Sequence, residues 1–88
     1  MTTVAPPDSL AVEIERDLLD RHGPMIGGRA LCSALGFPSM AAFRQSLTRG
    51  RVPVPIFSLP LRRGKFALVK DVACWIAQQR QQAIKKIQ

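Results

Sequence analysis

Residues 31–50 read Leu31-Cys32-Ser33-Ala34-Leu35-Gly36-Phe37-Pro38-Ser39-Met40-Ala41-Ala42-Phe43-Arg44-Gln45-Ser46-Leu47-Thr48-Arg49-Gly50. Leu31, Ala34 and Leu35 stand at i, i+3, i+4 and predict a helix over about 29–35. Gly36 can take a left-handed conformation after that helix, and Pro38 cannot continue it. Ser39 can cap a following helix, Met40 to about Thr48, which ends near Gly50. Two short helices joined by a turn of about four residues with a glycine at its start have the spacing of a helix-turn-helix, here over 29–49.

The segments on either side complete one small domain. Gly27-Gly28 allows a sharp turn into the first of these helices, and Met25-Ile26 before it reads as a short apolar connector. Further back, Leu10, Ile14 and Leu18 form one apolar stripe, with Leu19 beside it, on an acidic first helix over 8–22 that Asp8 or Ser9 can cap and Gly23-Pro24 ends. Residues 1–7 read as a loose arm. On the other side, Val52-Pro53-Val54-Pro55 is extended because each proline restricts the residue before it. Ile56–Leu59 and Lys65–Val69 are strand candidates, and Pro60-Leu61-Arg62-Arg63-Gly64 is the turn between them. Together they predict a hairpin wing over 56–69. Asp71 is a candidate cap for a last helix over 71–87, where Val72, Ile76, Ala83 and Ile87 share a face beside Trp75 and Ile84. The expected fold is therefore mainly α with a small β-hairpin, a winged helix-turn-helix of about four helices plus a two-stranded wing, in a single domain over 8–88.

Composition limits the function. The 88 residues are 47% apolar and 22% charged, the balance of a globular chain, and the net charge is +7 with a pI of about 10.8. The charge is unevenly spread. Asp8, Glu13, Glu15, Asp17 and Asp20 against Arg16 give residues 1–20 a net −4, whereas twelve bases against Asp71 give residues 21–88 a net +11. A basic body points to a polyanionic partner, with the acidic first segment kept away from it. No apolar run approaches the roughly 20 residues of a membrane-spanning helix. The start of the chain has no signal-peptide pattern, and two cysteines fit a reducing cytoplasm better than a disulfide framework. Cys32 and Cys74 lack metal-ligand spacing and are expected to be small buried residues. His22 has no second ligand or base and reads as a helix-end residue. Trp75 reads as a core anchor. No catalytic group, cofactor, metal or small-molecule ligand is indicated.

The candidate contact residues follow from the helix over 40–48. Met40, Phe43 and Leu47 face inward, while Ala41, Arg44, Gln45 and Thr48 fall on another face. Arginine can bond guanine O6 and N7 in a fork and glutamine can bond adenine N6 and N7. Threonine and alanine can meet a phosphate or a thymine methyl. Ser39 can place its hydroxyl and the adjacent backbone N–H groups on a phosphate. Arg49 and Arg51 are candidate phosphate clamps, with Arg29 a weaker one. Arg62, Arg63 and Lys65 on the wing can follow the backbone or reach a narrow minor groove.

Four motifs, Leu31-x-x-x-Leu35-Gly36-x-x-Ser39-x-x-x-Phe43-Arg44, Arg49-Gly50-x-x-Pro53, Gly64-x-Phe66 and Asp71-Val72-x-x-Trp75-Ile76, in this order cover about half the chain. The arrangement resembles small winged helix-turn-helix proteins of the AlpA and excisionase type, relatives of MerR-like domains. The acidic first helix and Pro53-Val54-Pro55-Ile56-Phe57 are similar to plasmid-borne KorC-like transcriptional repressors. The resemblance implies a regulator of plasmid or phage genes, a homodimer on an inverted-repeat operator in double-stranded DNA. By position it puts Ser39, Arg44 and Gln45 on the recognition helix and Arg62 and Arg63 on the wing. Pro38 departs from the pattern and lengthens or stiffens the usual turn. Two other functions are consistent with the same residues: an excisionase-like architectural factor that bends DNA, and an interaction module that docks through its acidic first helix.

Overall fold

The computed structural model describes residues 7–87. Helices α1 (Pro7–His22), α2 (Gly28–Ala34), α3 (Met40–Thr48) and α4 (Val69–Ile87) accompany two short strands, β1 (Met25–Gly27) and β2 (Phe66–Leu68), which form one antiparallel sheet. The fold is mainly helical with a two-stranded sheet, the expected class. Residues 1–6 of the expected arm lie outside the described residues, and Pro7 already belongs to α1. Proline is tolerated there because the first helical N–H groups have no partner within the helix. Asp8 and Ser9 are thus helical residues and not the cap.

The sheet differs from the expected hairpin in its partner strand. Ile26 pairs with Ala67, Met25 with Leu68 and Gly27 with Phe66, so the apolar connector at 25–27 is a strand. Its central pair is buried from both sides, with Ile26 2% and Ala67 0% exposed. Ile56–Leu59 contributes only the bridge of Phe57 to Phe66, closed by Phe57 N–H to Phe66 O (2.9 Å) and Phe66 N–H to Phe57 O (2.8 Å). The prolines around Val54 limit ladder pairing in that segment, while Val54 itself plugs the core. Val69, expected to end a strand, begins α4 instead, and its N–H donates to Pro24 O (2.9 Å). Asp71 therefore sits inside the first turn of α4, where its charge complements the positive end of the helix dipole.

The core gathers Ile26, Leu31, Cys32, Leu35, Phe43, Val54, Ala67, Val69 and Val72, with Trp75 and Ile76 packed against it. Cys32 is buried as expected, but Cys74 is exposed on α4; both are free thiols. The connection from β1 through the sheet to β2 and α4 sets α1 and α4 antiparallel, and the two pack side by side. Leu10, Ile14 and Leu18 are half-buried. Beyond Ala77 the cover thins, and the apolar face expected to run on along α4 is already exposed at Ala83 and Ile84.

One glycine is demanded by space alone. Gly27 has an extended backbone, yet a Cβ there would stand 2.6 Å from the ring of Phe66 and 3.0 Å from the Lys65 carbonyl oxygen. Overpacking of this kind costs about 1–3 kcal/mol. Gly27→Ala is expected to lower the unfolding free energy by about that amount in a urea titration. A loss within the error of the titration would show that the ring turns aside freely.

Candidate nucleic-acid interface

The turn between α2 and α3 is built from backbone chemistry. After α2 the N–H of Gly36 donates to Ser33 O (3.0 Å) and that of Phe37 to Cys32 O (3.1 Å). Gly36 has φ +83°. This is a Schellman motif, which satisfies the last carbonyls of the helix. α3 ends in the same way: Gly50, at φ +65°, donates to Leu47 O (3.1 Å) and Arg51 N–H to Ser46 O (2.8 Å). Inside the turn the buried Cys32 thiol lies 3.4 Å from Ser39 O and 3.7 Å from Phe37 O. The Phe37 ring tilts onto Phe43, with centroids 5.5 Å apart. Ser39 caps α3, its Oγ accepting from the Ala42 N–H at 3.1 Å.

Phe43 is 2% exposed and sets the rotation of α3, with Met40 and Leu47 packed beside it. At 100° per residue, Ala41, Arg44, Gln45 and Thr48 then fall within about 100° of arc, centred about 150° from that anchor. All four are exposed. The Thr48 hydroxyl donates back to Arg44 O (3.1 Å), so its oxygen keeps its lone pairs to accept from another donor. The other candidate residues, Ser39, Arg49, Arg51, Arg62, Arg63 and Lys65, are also exposed. Among the described residues no charged side chain is buried.

Two clefts flank α3. At its start, Arg29, Ser33 and Ser39 line one beside Phe37 and Pro38, so α2 brings Arg29 to the N-terminus of α3. At its end, Leu47 and Gly50 share a second cleft with Val54, Phe57, Ser58 and Lys65. The root of the wing loop therefore stands beside the C-terminal end of α3. Lys65 Nζ donates to Ser58 Oγ (3.1 Å) and ties the two sides of that root.

The tip of the loop holds a residue that the sequence reading passed over. Arg62 N–H donates to Leu59 O (3.3 Å) across Pro60 and Leu61, and Leu61 has φ +62°. Proline at the second position and positive φ at the third are the marks of a type II turn, whose third position favours glycine or asparagine. The signal was present in Pro60-Leu61, but only the backbone shows which turn the chain makes. The Leu61 side chain is fully in solvent, at 105% relative exposure.

α1, which holds most of the acids, packs mainly on α4 and β1, not on α3. Among the described residues no three His, Cys, Asp or Glu side chains converge on one point, and no helix is long and apolar enough to cross a membrane. No protein-family model, curated protein or solved structure matches the chain.

Two substitutions separate the structural role of Ser39 from a contact role. Ser39→Ala is expected to cost about 1 kcal/mol in stability through loss of the cap. Ser39→Asp keeps a capping oxygen and should stay within a few tenths of a kcal/mol of the wild type. Equal losses for the two variants in thermal melts would show that the cap contributes little here.

Proposed function

We propose that this chain is a sequence-specific double-stranded DNA-binding repressor of plasmid or phage genes, acting as a homodimer on an inverted-repeat operator. The observation that carries this reading is the outer face of α3. Arg44 and Gln45, two side chains with the bonding geometry to read purine edges, stand exposed between Ala41 and Thr48 on a helix held from behind by Phe43. An α-helix fits the major groove, and the fork of Arg44 and the amide of Gln45 match guanine and adenine there. Arg29 and Ser39 at one end of α3, and Arg49, Arg51 and Lys65 at the other, supply phosphate contacts that fix its register. Arg62 and Arg63 reach the adjacent backbone or minor groove.

One copy presents few base contacts, so useful specificity requires two, on half-sites about 34–36 Å apart or a multiple of that. The stripe Leu10, Ile14, Leu18 faces the protein's own interior. Among the described side chains of the paired helices, the large apolar ones left exposed are Val12 (50%) and Leu19 (39%) on α1 and Ile84 (40%) on α4. Val12 and Leu19 are seven residues apart and share a face nearly opposite that stripe. α1 holds five acids and two arginines, and α4 four bases and one acid. In a dimer, α1 of one copy therefore meets α4 of the other more favourably than it meets α1. Bound across a promoter, such a dimer blocks polymerase without any chemistry.

The test is a mobility shift on the DNA upstream of the protein's own gene, across a salt series. If about six phosphates are neutralised, log affinity falls against log salt with a slope of roughly −5. Arg44→Ala is expected to cost about 1–3 kcal/mol on the specific site and little on random duplex. A flat salt response rejects the proposal, and an equal loss on both duplexes makes Arg44 a phosphate contact.

A further inference from the structure

Leu61 is the one large apolar side chain of the described residues that is wholly in solvent. It contributes no packing to the fold, and it occupies a backbone conformation that disfavours any residue with a Cβ. Glycine or asparagine at this position would form the same turn at lower cost. A strained, unpacked leucine is therefore a feature to be explained from outside the chain. The partner's character is written in the neighbouring residues. Arg62 and Arg63 follow directly and are both exposed, so the surface that receives the leucine carries negative charge around an apolar interior. Duplex DNA has this combination in the minor groove, where phosphates line the walls and stacked bases form the floor. Position agrees, because the loop root at Ser58 and Lys65 shares a cleft with Leu47 and Gly50 at the end of α3. With α3 in the major groove, a loop that starts there is directed toward the next stretch of backbone and groove.

We infer that Leu61 is a minor-groove wedge: its side chain enters between two base pairs, partly unstacks them, and kinks the duplex while Arg62 and Arg63 hold the groove walls. Apolar wedges of this type bend DNA by about 20–90°. Pyrimidine–purine steps such as TA and CA unstack most readily, so the wedge adds selectivity for such a step beside the bases read by α3. This inference rests on the DNA-binding reading above and deepens it, since it makes the loop a source of shape readout as well as of charge.

The experiment uses the full chain and a duplex selected by it from a random-sequence pool. Bending is read by energy transfer between end labels, and unstacking by 2-aminopurine placed at successive steps. Wild-type protein is expected to bend the duplex and to raise 2-aminopurine fluorescence at one step. Leu61→Ala should bind about tenfold more weakly and lose both signals, while Leu61→Met keeps both. Leu61→Gly relieves the turn, so it should melt no lower than wild type and still lose the kink, which separates the wedge from any effect on folding. The salt slope of Leu61→Ala should be unchanged, because no charge is removed. Unaltered bending by Leu61→Ala overturns the wedge while leaving the DNA-binding reading in place. A change in sedimentation with bending intact also overturns it and makes Leu61 a contact between protomers. Failure of the wild type to select or bind any duplex removes both readings together.

Discussion

The seating of Phe43 is the contact on which the rest of this structure depends. Its ring is buried in the core with Leu31, Cys32 and Leu35 of the preceding helical segment, and Phe37 from the turn closes over it. Burying a side chain of this size is worth about 1.5–3 kcal/mol relative to leaving it exposed, a large share of what a chain of 88 residues can spare. Its consequence is geometric as well as energetic. A helix of nine residues has little stability of its own and no preferred rotation. Once Phe43 is seated, every other side chain of α3 has its direction assigned, including Arg44 and Gln45.

The backbone devices around α3 serve the same end. Two glycine-terminated Schellman motifs, at Gly36 and Gly50, stop α2 and α3, and Ser39 starts α3 abruptly. The Cys32 thiol occupies the inside of the turn, next to the Phe37 and Ser39 carbonyls. A looser turn would let α3 roll, and its outward groups would no longer point in one direction. The charge distribution follows the same division. The acidic helix lies on α4 and β1, and six of the nine arginines, Arg29, Arg44, Arg49, Arg51, Arg62 and Arg63, stand on or around α3 and the wing loop.

Much of the fold could be read from local pattern. The helix at Met40–Thr48 and its cap at Ser39 are found where the spacing of Phe43 and Leu47 and the Pro38-Ser39 pair put them. The strand at Met25–Gly27 was not legible, because the two residues between Gly23-Pro24 and Gly27-Gly28 show no alternation and look like a linker. Its identity comes from Ala67, which lies far along the chain and offers Ile26 a buried partner. The outward face of α3 was legible as a pattern of residue types. The place of the wing loop beside the end of α3 was not, since it depends on Phe66 bridging to Phe57 on one side and pairing with Gly27 on the other.

Local sequence was enough to fix where α2 ends, where α3 starts and stops, and which residues carry charge, because capping, glycine and proline effects and helical periodicity act over four or five residues. Tertiary structure alone decided which strand Phe66–Leu68 would join, which cysteine would be buried, and that Leu61 would stand in solvent with a positive φ. Those outcomes are set by contacts between residues tens of positions apart, and by a turn type chosen by the ends it has to connect. No local pattern contains that information.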